Sequence, residues 1–374
     1  MDATIAAARG RPLRQRLYLW LRHLHLWLTA VTVVPLLVLS LSGAVLVFGH
    51  ELDKALEPAI WRVEPRDEPL PVDAVIDHVH RQVPSVRVWS VGQGREPGDA
   101  WVLWLAAGAG VVNVDPYTGT VLRHYNPHST VNGVVTALHR WLLVDGPARS
   151  WVRHAVSAAS LVLIIQVVLG VWMWWLPARR WRNATPDFSR GARLAVFRLH
   201  QCAGLVTAVL MVLVAFTGMS LYWITPTRAV VEAVAGSTVG MPPKPDHPGL
   251  APLAGLDRAL AVARLSVPDG RLLHFRLPQK PGEPLITAFA TADTSTPTHV
   301  VVGGEPPTVV ERRDGRSVSG ASWFWDIRYR LHIGDFAGTG ALGTAVRVVW
   351  VVLALMPAAF VISGLWLWVK RRTL

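Results

Sequence analysis

Four stretches of this chain run longer than a bilayer crossing without one charged side chain: Leu26–Phe48, Ala155–Ala178, Leu199–Thr227 and Val348–Val369. A helix needs roughly 20 apolar residues to cross hydrocarbon, so each reads as a transmembrane helix. The first reads as a retained span: its apolar part is long for a signal sequence, and Gly49-His50-Glu51 follows it instead of a small-residue cleavage site. Between the spans the pattern changes. P-V-D-A-V-I-D-H-V-H-R-Q-V from Pro71 has helical spacing. V-R-V-W-S-V, A-W-V-L-W-L, V-V-N-V-D and T-V-L-R-H-Y read as strands, with a turn at Pro116-Tyr117-Thr118-Gly119. The later intervening segment is looser, with a helix near Leu256–Leu260 and strands L-L-H-F-R-L, L-I-T-A-F-A and H-V-V-V.

The expected organisation is therefore residues 1–48 (N-terminal segment and first span), 49–150 (an α+β domain), 151–178 (second span), 179–198 (a basic loop), 199–227 (third span), 228–342 (a second domain) and 343–374 (fourth span and basic tail).

Composition agrees with a membrane protein: 51% of 374 residues are hydrophobic, and 18 are tryptophan, many at span ends as in an aromatic belt. The net charge of +12 is concentrated in three places. Arg9, Arg11, Arg14, Arg16 and Arg22 precede the first span. Arg179, Arg180, Arg182, Arg190, Arg193 and Arg198 join the second to the third. Lys370-Arg371-Arg372 follow the fourth. The positive-inside rule puts all three, and both termini, in the cytoplasm. Each cluster abuts a span, which favours lipid over nucleic acid as the partner of these charges. The two long segments then lie outside, in the periplasm of a bacterial inner membrane. One cysteine, Cys202, leaves no disulfide, no thiolate-held cluster and no covalent haem motif.

The halves of the chain repeat. His25 to Gly43 and His200 to Gly218 are both 18 residues, which is five helical turns and about 27 Å on one helix face. His139 to Gly170 is 31 residues and His332 to Gly364 is 32. Both halves start on the same side, so the repeats are parallel. Each half offers a histidine at either membrane face: His25 and His200 inside, His139 and His332 outside. His154 is a fifth candidate. His23, rotated about 200° from His25, has no counterpart and reads as an interface residue against a lipid headgroup.

A proton relay, a zinc or copper site and bis-histidine haem b all use facing histidines. The spans contain no Asp or Glu, which weakens a relay. No carboxylate or thiolate lies near these histidines to complete a zinc site. A haem needs two axial ligands, small residues beside the macrocycle, aromatic walls and cations for its propionates. The expectation is two haems: an inner one held by His25 and His200 and flanked by Gly170 and Gly364, and an outer one held by His139 and His332, or by His154 in place of one of them, flanked by Gly43 and Gly218. Arg22, Arg140, Arg198 and Arg330 stand within three residues of a histidine as candidate propionate partners. Pro35 and Pro357 are expected to kink the first and fourth spans. His78, His80, His124, His128, His274 and His299 read as ordinary histidines of the outside domains.

R-H-L-H-L-W with S-G-A-V-L-V-F-G-H-E-L-D, V-D-P-Y-T-G-T-V-L, L-H-R-W-L-L, R-L-H with F-T-G, and R-L-H-I-G-D-F with S-G-L-W-L-W-V-K-R-R together resemble the PepSY-associated transmembrane proteins, also called iron-regulated inner-membrane proteins. The resemblance implies a mainly α, four-helix bundle of two parallel repeats with α+β PepSY-like periplasmic domains. It further implies b haems between the helices, with His25, His139, His200 and His332 as the matching histidines, and a haem-dependent oxidoreductase that reduces a ferric siderophore in the periplasm. Reduction releases iron because hard oxygen donors suit Fe(III) better than Fe(II). The electron donor would be quinol or a cytoplasmic reductase. Competing readings are a cytochrome b-like protein serving another periplasmic acceptor, a non-enzymatic PepSY protein that binds a protease or peptide, and a transporter, the last disfavoured by charge-free spans.

Overall fold

The structure is a computed structural model that describes residues 13–177, 181, 185–247, 250–253 and 255–370. In chain order the described helices are α1 (Leu13–Leu46), α2 (Gly49–Leu56), α3 (Pro58–Trp61), α4 (Val72–Gln82), α5 (Val131–Trp141), α6 (Arg149–Trp175), α7 (Ala192–Ser220), α8 (Ile224–Ala235), α9 (Leu256–Ser266), α10 (Gly320–Ile333) and α11 (Ala341–Lys370). The strands are β1 (Val88–Gly92), β2 (Trp101–Leu105), β3 (Val111–Val114), β4 (Val121–Tyr125), β5 (Arg271–Arg276), β6 (Leu285–Ala290), β7 (Thr298–Gly303) and β8 (Thr308–Arg313). The chain forms two compact units. One comprises Met1–Phe48, Val135–Thr227 and Arg328–Leu374; the other comprises Gly49–Val134 and Arg228–Ile327.

In the helical unit, α1, α6, α7 and α11 are long and apolar enough to cross a membrane. They close a ring in which α1 packs on α6 and α11, and α7 packs on the same two helices. Helices in lipid lack the hydrophobic force that drives soluble packing, so buried polar contacts and close small residues carry more of the work. Gln166 Nε2–H donates to Thr29 Oγ1 at 3.0 Å, linking α6 to α1. Both expected prolines lie inside helices, Pro35 in α1 and Pro357 in α11. Beside Pro357, which has no N–H to donate, a side chain from another helix joins the ladder. Ser40 Oγ of α1 donates to Ala354 O at 2.5 Å and accepts from Ala358 N at 3.2 Å, standing between the two ends of one helical rung. Arg347 donates to Val47 O just past the carbonyl end of α1 and lies over the Phe48 ring.

Two short helices carry histidines in this unit. α10 ends in a turn written by L-H-I-G-D-F. Gly334 has φ +75°, Asp335 N bonds back to Arg330 O at 2.9 Å, and Trp350 Nε1–H donates to Leu331 O at 2.8 Å. A Cβ on Gly334 would stand 2.6 Å from the Trp350 ring, so glycine is required there twice over. α5 ends differently: Leu142 and Leu143 both hold positive φ, 52° and 60°, which costs energy for a side chain with a Cβ.

In the sheet unit all eight strands form one antiparallel sheet in the order β4-β3-β2-β1-β5-β6-β7-β8. The segments read as the separate domains 49–150 and 228–342 contribute four strands each. They join where β1 pairs with β5, Val91 opposite Phe275. The second segment is as complete as the first. It looked looser because β8 (T-V-V-E-R-R) is an exposed edge strand with no apolar alternation. The apolar positions of α4 and α9, including Val75, Val79, Ala259 and Ala263, pack with Val91, Leu103, Phe275, Phe289 and Val300 in one core. The two helices cap each other. Asp257 accepts from Val72 N (2.7 Å) and Asp73 N (3.0 Å), and Asp73 accepts from Leu256 N (3.0 Å) and Asp257 N (3.2 Å). V-D-P-Y-T-G forms the β3–β4 turn. Asp115 accepts from Tyr117 N and Thr118 Oγ1, and Gly119 takes φ +71°.

Candidate histidine centres in the helical unit

The four histidines read as repeat-related stand in two pairs. His139 of α5 and His332 of α10 face each other with ring centroids 6.2 Å apart and planes tilted by 53°. His25 of α1 and His200 of α7 line a single cavity of about 710 Å³. Each ring rests against a glycine of a neighbouring span. A Cβ built on Gly43 would lie 3.2 Å from His139 Cε1, on Gly218 2.7 Å from His332 Cε1, on Gly170 3.9 Å from His25 Cε1, and on Gly364 3.8 Å from His200 Cε1. Gly43 and Gly218 therefore make room for an imidazole edge, while Gly170 and Gly364 stand at ordinary contact distance. The expectation from sequence gave them only a flat macrocycle to flank.

The hydrogen bonds around the rings decide which nitrogen carries the proton. Ser42 Oγ donates its one proton to Val38 O at 2.5 Å, so toward His139 Nδ1, 2.9 Å away, it can only accept. Ser363 Oγ donates to Ala359 O at 2.7 Å and likewise accepts from His200 Nδ1 at 2.8 Å. His332 Nδ1 faces the Val214 carbonyl at 2.9 Å, an acceptor only. At His332 the carbonyl fixes the proton on Nδ1; at His139 and His200 the same tautomer suits a hydroxyl that donates to its own helix, and it leaves the Nε2 lone pair for a ligand role. Metal-bound histidines show the same arrangement, an outer N–H tied to an oxygen. His25 is the exception. Its Nδ1 is buried without a hydrogen bond of normal geometry, although the backbone of Gln166 approaches the ring.

The remaining expected residues divide. Gly170 and Gly364 line the cavity with His25 and His200, as does Arg22. Arg198 does not: its guanidinium pairs with Asp187 at 2.8 Å. Arg140 lies over the Trp141 ring at 5.6 Å, and Arg330 Nε–H donates to Asp335 O in the turn after α10. His154 joins neither pair. Trp223 Nε1–H donates to its Nδ1 at 2.9 Å, and the Tyr222 ring stands 4.9 Å away. Sequence reasoning missed Arg190 and Arg193, which also line the cavity. They read as loop charge in the sequence, although Arg193 stands seven residues, about two helical turns, before His200 on one face of α7. His23, read as an interface residue, is exposed yet lines the same cavity. Ser42, Ser363 and Thr217 were missed as well. Their signal was a hydroxyl residue before a glycine that shares a stripe with a histidine. Arg9, Arg11, Arg179, Arg180, Arg182, Arg371 and Arg372 lie outside the described residues.

The PepSY-associated TM region family matches residues 22–371. The chain belongs to that family. The match spans both units, so the sheet unit is part of what the family comprises in this chain, as are all four long helices. No curated protein matches the chain.

In the sheet unit His299 is buried, whereas His80, His124, His128 and His274 are exposed. His299 on β7 is 9% exposed, and burial, then Arg313 and His274, push its imidazole down to about 4. His274 on β5 is lowered by partial desolvation and then by Arg276. Both pair across the sheet with Ala288 of β6.

Proposed function

We propose that this PepSY-associated membrane protein is a two-haem b reductase of the bacterial inner membrane that delivers electrons to a ferric siderophore in the periplasm, converting Fe(III) to Fe(II) for release. The observation that carries the reading is the pair of facing imidazoles at His139 and His332, with His25 and His200 sharing a cavity one span-length away along α1 and α7. The residues fit the group. His139 and His332, two imidazoles with ring centroids 6.2 Å apart, would hold it through one nitrogen each. Among the described residues no three His, Cys, Asp or Glu side chains gather as a structural metal site requires. The cavity at His25 and His200 falls within the usual size of a cofactor site.

In this reading His25, His139, His200 and His332 would hold the haems through imidazole nitrogens, and Gly43 and Gly218 let two of the rings lie close to the neighbouring helix. Phe360, 5.0 Å edge-on to His200, gives an aromatic wall. Arg22, Arg190 and Arg193 supply positive charge for carboxylates. When bound, haem b supplies a one-electron Fe(III)/Fe(II) couple whose potential the protein sets through ligands and burial. The chain needs no nucleophile and no general base for this chemistry.

Two parallel repeats are part of the proposal. In one, His25 meets Gly170 and His139 meets Gly43; in the other, His200 meets Gly364 and His332 meets Gly218. The mutual capping by Asp73 and Asp257 has the same twofold character. The described basic residues Arg14, Arg16, Arg22, Arg190, Arg193, Arg198 and Lys370 support cytoplasmic termini and a periplasmic sheet unit. The test is a dithionite-reduced minus oxidised spectrum of the purified chain with a pyridine haemochrome assay. Two b haems per chain are expected. A chain expressed with ample haem that shows no b-type Soret band would sink the proposal. Anaerobic trapping of Fe(II) from loaded siderophores then tests the acceptor.

A further inference from the structure

Three of the four histidine-facing glycines follow a hydroxyl residue that reaches the same ring. Ser42 precedes Gly43, Thr217 precedes Gly218, and Ser363 precedes Gly364. Ser42 and Ser363 accept from the histidine Nδ1, and Thr217 Oγ1 stands 3.4 Å from His332 Nδ1 beside the closer Val214 carbonyl. In every case the hydroxyl proton is already given to the carbonyl four residues earlier: Val38, Leu213 and Ala359. The fourth glycine breaks the rule. Leu169 precedes Gly170, and the ring facing Gly170 is His25, whose buried Nδ1 makes no normal hydrogen bond.

We infer that Ser42 and Ser363 are positioning residues that fix the Nδ1–H tautomer of His139 and His200, and that Leu169 makes the two histidine pairs inequivalent by leaving His25 without a hydroxyl. The inference rests on the haem reading for its redox consequence, but not for the tautomers themselves. A hydroxyl that can only accept makes Nδ1 the sole low-cost site for the ring proton, because a buried N–H without a partner costs free energy. Donation from Nδ1 raises the basicity of the other nitrogen, which favours a ferric over a ferrous ion bound there. The His139–His332 pair has both outer N–H groups bound. The His25–His200 pair has one hydroxyl-bound N–H, at His200; His25 has only the approach of the Gln166 backbone, short of normal hydrogen-bond geometry.

Two measurements on the full chain test this. In the haem-free chain labelled with 15N-histidine, His139 and His200 are expected to show a protonated Nδ1, and Ser42→Ala and Ser363→Ala are expected to redistribute the proton toward Nε2 at the matching ring. Ser42→Thr restores the wild-type pattern. In the haem-loaded chain, Ser42→Ala raises one midpoint potential and weakens retention of that haem about 10-fold. Leu169→Ser lowers the other midpoint and leaves the first in place. A protonated Nε2 at His139 and His200 in the wild-type chain overturns the inference, as do midpoints that Ser42→Ala and Leu169→Ser leave unmoved. If the chain takes up no haem, the proposed function fails while the 15N result still decides the tautomers.

Discussion

A Cβ placed on Gly218 would stand 2.7 Å from the Cε1 of His332, closer than real side chains pack. The four histidine-facing glycines are thus graded. Gly218 tolerates nothing, Gly43 is tight at 3.2 Å, and Gly364 and Gly170 leave ordinary contact at 3.8 and 3.9 Å. Gly→Ala in a helix interior otherwise stabilises by about 0.5–1 kcal/mol. On the proposed haem binding, Gly218→Ala is therefore expected to displace His332 and lose one haem, while Gly170→Ala keeps the wild-type haem content and melts no lower than wild type. Haemochrome stoichiometry of the two variants checks this; equal haem loss in both would mean that the graded contact does not govern ligation.

Ser40 joins α1 to α11 through a rung beside Pro357. Proline has no N–H and opens the ladder, and the Ser40 hydroxyl serves Ala354 O and Ala358 N at the opened place. Ser40→Ala leaves two backbone groups in an apolar bundle without that partner and is expected to cost about 1–3 kcal/mol. Pro357→Ala lets the helix close on itself, so the hydroxyl matters less. The double variant should then lose less than the sum of the singles. A thermodynamic cycle from reversible unfolding in mixed micelles reads the coupling, and strict additivity would show that Ser40 does not act through the opened rung.

The long helices were legible because charge-free runs and flanking arginines are properties of sequence alone. His25 and His200 were legible as counterparts because each stands 18 residues, five whole helical turns, from a glycine on its own helix; His139 and His332 were matched only by the near-equal spacings of 31 and 32 residues. Other features depend on which strand or side chain meets which. Nothing in V-R-V-W-S-V or L-L-H-F-R-L says that β1 and β5 pair to merge two segments into one sheet, because that contact is backbone hydrogen bonding between residues about 185 apart. The role of Ser42 was hidden for a related reason. A serine in a span most often bonds its own helix, as Ser42 also does with Val38. Only the position of His139 shows its second use.

Asp73 and Asp257 each cap the helix that the other belongs to, so their effects should cross. Asp73→Ala removes acceptors from Leu256 N and Asp257 N and is expected to loosen the start of α9 by about 1 kcal/mol. Asp257→Ala removes them from Val72 N and Asp73 N and loosens the start of α4. Hydrogen exchange with mass spectrometry resolves the two segments. Faster exchange confined to the helix that carries the substitution would contradict the reciprocal arrangement.

His299 ties the stability of the sheet unit to pH. Its folded value of about 4 lies below the ordinary value of 6.5, so the unfolded chain binds more protons between those limits. The neutral ring's contribution is therefore complete above about pH 6.5 and is lost as pH falls toward 4. At pH 5 the loss amounts to about 2 kcal/mol, since a tenfold difference in proton affinity between the folded and unfolded chain is worth about 1.36 kcal/mol. His299→Gln keeps a polar side chain on β7 and removes the titration. Between pH 7.5 and pH 5 the melting temperature of this variant should fall less than that of the wild-type chain. The difference measured between the two chains excludes the titration of groups both retain, including His274. A parallel fall in both would place the acid sensitivity elsewhere than at the ring held between Arg313 and His274.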